Sequence, residues 1–253
     1  MKATIGLDAG HGGSSTGTYS VNTVKDGLFE KDYALELVLL INERLLFNGF
    51  KTVLTRTTDV NPGTVAKRAQ KFLAAKCNYA LSLHFNGFGT ESANGTEVFV
   101  PYAEKGAGIE AGFYETLGKF FKIRKPFARS NSFYDRNNIF DKKLNVNIRK
   151  FEDWDDGKDY FGFIRTAWEG GLSADLLEVC FLTNPEDFEN YIANKEAIAD
   201  GIARSIVEGY GEKYVSLQTN ILDEKLYIPA FRDKEKAEAY VAGIAGAFLI
   251  EGE

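Results

Sequence analysis

The chain carries two histidines, His11 and His84, and each follows a short apolar run of strand character. Ala3–Asp8 (ATIGLD) leads into the glycine- and serine-rich AGHGGSSTG, and Tyr79–Phe85 (YALSLHF) carries the second histidine within SLHFN. Two imidazoles at strand ends on one rim of a sheet suit a zinc ion, but a catalytic zinc needs three protein ligands and one open position. The third ligand must then be a carboxylate or thiolate near the same rim. Glu30, which opens a long helical pattern soon after the His11 loop, is a candidate, and Asp8, Asp26 and Asp32 compete with it on spacing alone. Each of these residues also has a plainer reading. His11 could be a turn histidine satisfied by backbone, His84 a core histidine, and Glu30 an acidic residue favoured in a first helical turn by the macrodipole. A phosphate-cradling role for the glycines is disfavoured, because neither GK[ST] nor GxGxxG is present.

Glu178 differs in kind. It lies in ADLLEVCFLTN with apolar residues on both sides, where a carboxylate is costly to bury without a partner. Such a setting raises a carboxyl pKa and suits a general base that takes a proton from water and returns it to a leaving amine. The plainer alternative is a structural ion pair, for instance with Arg165. Asn86 and Asn184 lie close enough in sequence to be candidates for orienting water or substrate.

These side chains need elements to hold them. Tyr33, Leu37, Leu40, Ile41 and Leu45 recur at helical spacing within Glu30–Asn48, and Gly49 supplies a stop. Strands are expected at Phe50–Thr55, Tyr79–Phe85, Thr96–Val100, Tyr160–Arg165 and Ala174–Val179, after the first at Ala3–Asp8. Further helices are expected at about Thr64–Ala75, Gly106–Phe121, Pro185–Ile192 and Lys195–Gly209. The stretch Arg124–Lys158 has no clear period. The alternation implies an α/β fold, with a twisted, mostly parallel sheet of about six strands and helices on both faces. Ligand sites in such sheets gather at the carboxyl ends of the strands. There His11 follows the first strand, His84 ends the third and Glu178 ends the last. Residues 1–212 form the expected main domain. Residues 213–253 read as a linker and a small strand–helix appendage, which could pack on the main domain, form a homo-oligomer contact or begin a repeat module.

Composition removes several classes. The net charge is −6 and the basic residues are scattered, which argues against a nucleic-acid partner. No apolar run approaches the roughly 20 residues of a membrane span, so membrane insertion is not expected. Cys77 and Cys180 sit in apolar segments without a CxxC pair and read as buried free thiols. MKATIGLDAGHGG lacks the features of a signal peptide. If the protein works outside a cell, the expectation is therefore release by something other than its own amino terminus, or a leader that has been removed.

The segments DAGHGG, GLFEKDYALEL, FKTVLTRTTD, RAQKFLAAKCNYALSLHFNG, NGTEVFV and LLEVCFLTNPED occur in this order. Together they closely resemble the zinc-dependent N-acetylmuramoyl-L-alanine amidases of the type-3 family, over about Lys2–Gly211. The resemblance implies zinc (Zn2+) ligands at His11, Glu30 and His84, and Glu178 as the catalytic glutamate. It also implies the substrate, peptidoglycan, cut at the amide between N-acetylmuramic acid and L-alanine, with cell-wall lysis or remodelling as the outcome. On that reading residues 213–253 become a candidate for wall contact, and the expected setting is a phage lysin made in host cytoplasm and released to the wall, or a secreted enzyme whose leader has been removed. Two rival readings accompany it: a zinc peptidase acting within the stem peptides, and an inactive wall-binding module. The chain departs from the family at Ala9, where proline is usual. It also departs across Arg124–Lys158, a stretch expected to flank the substrate groove.

Overall fold

The apolar run at the amino end forms strand β1 (Thr4–Ala9), buried from Ile5 onward. The computed structural model describes residues 2–21, 27–101, 109–124, 137–141, 146–150, 159 and 161–217. After the glycine-rich loop comes helix α1 (Glu30–Phe47), whose buried Tyr33, Leu37, Ile41 and Leu45 repeat every four residues. Its first turn is closed by Asp32, whose carboxylate accepts the Phe29 N–H at 2.9 Å. The next free amides, those of Glu30 and Lys31, donate to the carbonyls of Thr18 and Thr16 at 2.9 and 3.1 Å. The loop that follows His11 is thereby stitched across the amino end of α1, where unpaired amides need acceptors. Gly49, with φ +79°, ends the helix and turns the chain into β2 (Lys51–Leu54).

Helix α2 (Val65–Ala74) is capped by the Thr64 side chain, which accepts from Lys67 N, and it buries Arg68, Ala69 and Phe72. Strands β3 (Tyr79–Asn86) and β4 (Glu97–Phe99) follow, then helix α3 (Glu110–Leu117). Strands β5 (Asn137–Asp141) and β6 (Val146–Lys150) pair with each other in an antiparallel ladder. Helix α4 (Gly162–Glu169), strand β7 (Ser173–Phe181) and the 25-residue helix α5 (Pro185–Gly209) complete the described elements.

The main sheet has five strands in the order β2-β1-β3-β7-β4, all parallel except the edge strand β4. Alternation along the strands sends Ile5, Leu7, Leu81, Leu83 and Val179 to a core shared with α1, α3 and α5. Ala80, Ala174 and Leu176 face a smaller core shared with α2 and α4. Helices therefore cover both faces. The chain leaves β1 toward β2 and later returns to β3 on the other side of β1. The junction of β1 and β3 is thus the topological switch point, where a crevice opens at the carboxyl ends of the strands.

Several expectations change. Of the strand expected at Tyr160–Arg165, residues 162–165 are instead the start of the helix Gly162–Glu169, and Tyr160 lies outside the described residues. A short apolar run does not declare its period, and here Phe163, Ile164 and Ala167 share one buried helical face. Among the described residues the sheet accordingly has five strands rather than six. The two expected carboxyl-terminal helices are one, because Tyr191 and Ile198, two turns apart, are both fully buried against the large core and carry the helix through Asn194. The aperiodic Arg124–Lys158 stretch holds the β5–β6 ladder. Residues 214–217 pack on the main body, with Asn48 bonded reciprocally to the Val215 backbone and Tyr214 Oη donating to Asp200 at 2.6 Å. The strand and helix expected beyond that point lie outside the described residues. Among those described, no helix is long and apolar enough to cross a membrane.

Candidate metal centre

Three donors meet at the switch point. The DAGHGG segment leaves β1 in a tight loop in which His11 takes φ +60°, a conformation that a non-glycine residue seldom holds. Gly12 and Ser15 bond to each other's backbone, and Ser15 Oγ lies 3.0 Å from His11 Nδ1. That contact leaves His11 Nε2 facing Glu30 Oε1 at 3.2 Å. The same carboxylate oxygen lies 2.9 Å from His84 Nδ1. All three ligand atoms fall within 4.8 Å of one another. Ligands at about 2.0–2.2 Å from a tetrahedral zinc stand roughly 3.4 Å apart, so the spacing fits that ion.

Local sequence dictates this convergence. A Cβ on Gly10 would stand 2.6 Å from the His84 ring, and one on Gly17, at φ +70°, would stand 2.4 Å from Glu30 Oε2. Only glycine lets the two loops approach so closely. Glu30 is oriented by the Thr18 N–H on Oε2 at 2.9 Å and the Phe85 N–H on Oε1 at 3.2 Å. The competing carboxylates are otherwise engaged. Asp8 accepts from Thr55 and Ser82 hydroxyls, both at 2.7 Å, and lies 3.6 Å from Arg68. Asp32 closes the first turn of α1, and Asp26 lies outside the described residues.

Electrostatics bind the three together. Burial pushes the Glu30 carboxyl up, but hydrogen bonds and charge from both imidazoles outweigh it and hold the group well below the usual range. Burial pulls His84 down, yet the hydrogen bond and charge of Glu30 raise it to about 9, with help from Glu178 and Asp8. A carboxylate pressed against two imidazoles is the protonic counterpart of a cation site.

Glu178 does not end its strand, since β7 runs on to Phe181, but it lies in register opposite His84. Its Oε2 is buried and has no hydrogen-bond partner among the described residues. Burial pushes its pKa up to about 8, opposed by His84 and reinforced by Glu30 and Glu97. No ion pair joins it to Arg165, whose Nη1 donates to the Asp159 carbonyl. Asn184 caps α5, accepting from Asp187 N at 3.0 Å and donating to the Glu91 carbonyl. Asn86 donates to Glu97 Oε2 at 2.7 Å.

Glu97 escaped the reading of the sequence. It stands opposite Glu178 across the β4–β7 pair, buried, with Arg124 Nε on its other oxygen at 2.6 Å. The signal was available, because Glu97 interrupts an apolar strand just as Glu178 does.

Two histidines and a glutamate with a position left for water are the donor set of hydrolytic zinc sites that cleave amides. Comparison with known proteins narrows that class. The family model described as N-acetylmuramoyl-L-alanine amidase matches residues 5–209, and the chain belongs to this family. It is 25% identical over 240 residues to N-acetylmuramoyl-L-alanine amidase CwlM of Bacillus licheniformis, covering 94% of this chain and 79% of that one. It is 35% identical over 96 residues to the uncharacterized protein YqiI of Bacillus subtilis (strain 168), covering 38% of this chain and 43% of YqiI. Among solved structures, Cwp6 from Clostridium difficile shares the fold with a TM-score of 0.65 at 24% identity, covering 83% of this chain and 29% of that one. The chain thus spans less than half the length of YqiI and of Cwp6.

Proposed function

We propose that this chain hydrolyses the amide between N-acetylmuramic acid and L-alanine in peptidoglycan, with zinc held by His11, Glu30 and His84 and with Glu178 as general base. Family membership supports the substrate. The observation that carries the reading is the meeting of three donor atoms within 4.8 Å beside a buried carboxylate oxygen that lacks a partner. Zinc, when bound there, supplies a Lewis acid for the scissile carbonyl and makes an attacking water acidic near neutral pH.

The remaining work falls to the chain's own side chains. Glu178 Oε2 takes the proton as water attacks, then returns it to the departing L-alanine nitrogen. Its apolar surroundings favour the protonated state that this return requires. Glu97, pinned by Asn86 and Arg124, keeps its own oxygens occupied and leaves Glu178 as the uncommitted carboxylate of the pair. Because peptidoglycan lies outside the membrane, the same reading places the domain's action at the cell wall.

Mass analysis of digested peptidoglycan tests the bond assignment. The expected products are intact stem peptides with a free amino-terminal L-alanine. Peptides cut internally would instead make the chain a stem-peptide peptidase. Retained zinc with no release of fragments would leave it a wall-binding module.

A further inference from the structure

The FKTVLTRTTD segment contributes no donor to the metal centre, yet it places a buried arginine behind it. Arg56 is 3% exposed, and among the described residues each hydrogen bond of its guanidinium goes to a backbone carbonyl. Nε donates to the Ala9 carbonyl at 3.1 Å, and Nη2 donates to Gly10 at 2.9 Å and to Lys31 at 2.6 Å. Nη1 reaches the Thr58 carbonyl at 3.4 Å. Ala9 and Gly10 immediately precede His11, and Lys31 immediately follows Glu30. One rigid fork therefore spans the two segments that carry His11 and Glu30, which a flexible ammonium could not do in the same plane.

A second clip closes the same loop from outside. Asp59 Oδ1 accepts the Gly13 N–H at 2.8 Å, and Lys31 Nζ bonds Asp59 Oδ2 at 2.5 Å and the Gly13 carbonyl at 3.0 Å. His11 sits between the two clips in its left-handed conformation, which persists only where the surroundings over-determine it.

We propose that Arg56, with Asp59 as its outer counterpart, is a positioning residue that sets the separation of His11 from Glu30 and so governs zinc affinity. The inference rests on reading His11, Glu30 and His84 as the zinc ligands. Outer partners that orient metal ligands typically change affinity by about 10–100-fold when removed.

The test is zinc affinity by chelator competition, with zinc alone as probe, on the full chain and its Arg56→Ala, Arg56→Lys and Asp59→Ala variants. Melting of the metal-free proteins is followed alongside. The expected result is a loss of about 10–100-fold for Arg56→Ala, partly restored by added guanidinium, with Arg56→Lys recovering less than guanidinium does. Asp59 is exposed, so Asp59→Ala should melt as the parent does and still bind zinc about tenfold more weakly; this variant carries the test if Arg56→Ala fails to fold. Parental zinc affinity in a folded Arg56→Ala or in Asp59→Ala would overturn the brace while leaving the metal centre standing. A parent chain that binds no zinc would overturn the metal centre itself and the brace with it.

Discussion

His84 on β3 and Glu178 on β7 stand opposite each other in parallel register, so an imidazole and a carboxylate share one face of the sheet at the strand spacing of about 4.8 Å. Backbone pairing, rather than a loop, fixes their relation. Replacing Glu178 by Gln keeps the shape and removes the base that the proposed function assigns. Turnover should fall by about 10²–10⁴-fold with little change in KM, as steady-state hydrolysis of a soluble muramoyl peptide would reveal. Near-parental kcat would mean that another group moves the proton.

Gly10 tests how tightly the loops are set. An alanine there would put its Cβ 2.6 Å from the His84 ring and 2.8 Å from the Leu83 carbonyl. The ring must swing away, since the strand backbone is held on both sides. Gly10→Ala is expected to lose both zinc and turnover; crystallographic placement of His84 unchanged, with full zinc, would contradict this.

The two asparagines near the site should separate. Asn184→Ala removes a helix cap and is expected to cost about 1 kcal/mol of stability while sparing kcat. Asn86→Ala frees one oxygen of Glu97 beside Glu178 and is expected to lower kcat with a smaller effect on unfolding. Parallel denaturant melts and kinetics decide between these patterns, and the reverse assignment would show that Asn184 acts on the reaction.

Both thiols should be quiet at neutral pH. Burial pushes Cys77 up to about 11 and Cys180 well above its ordinary value. Only the thiolate reacts, and the raised values keep both thiols protonated at pH 7. Alkylation of the folded protein should therefore be slow and should rise about tenfold per pH unit as pH approaches 10. Of the two thiols expected to be buried, Cys180 is buried and Cys77 only half-buried, and a rapid phase at pH 7 in the folded protein would contradict both shifts.

How much of this was legible depended on range. His11, His84 and Glu178 could be singled out from short segments, because a strand end or an apolar run marks each locally. Glu30 could not be told from Asp8 or Asp32 by spacing. Its selection depends on Thr18 and Phe85, which lie 12 and 55 residues away and meet it only in the folded chain. Arg56 was invisible for the same reason, since its partners are carbonyls 46 and 47 residues back. The helix at 162–169 is ambiguous in sequence because its apolar neighbours fit either period, and only the second core behind the sheet decides.

Zinc content measured beside turnover for His11→Ala, Glu30→Ala, His84→Ala and Glu178→Ala tests the central claim most directly. The predicted result is a split in which the first three lose zinc and activity together, whereas Glu178→Ala retains zinc and loses turnover. Zinc retained after loss of any of the three donors, or activity retained without Glu178, would contradict the account.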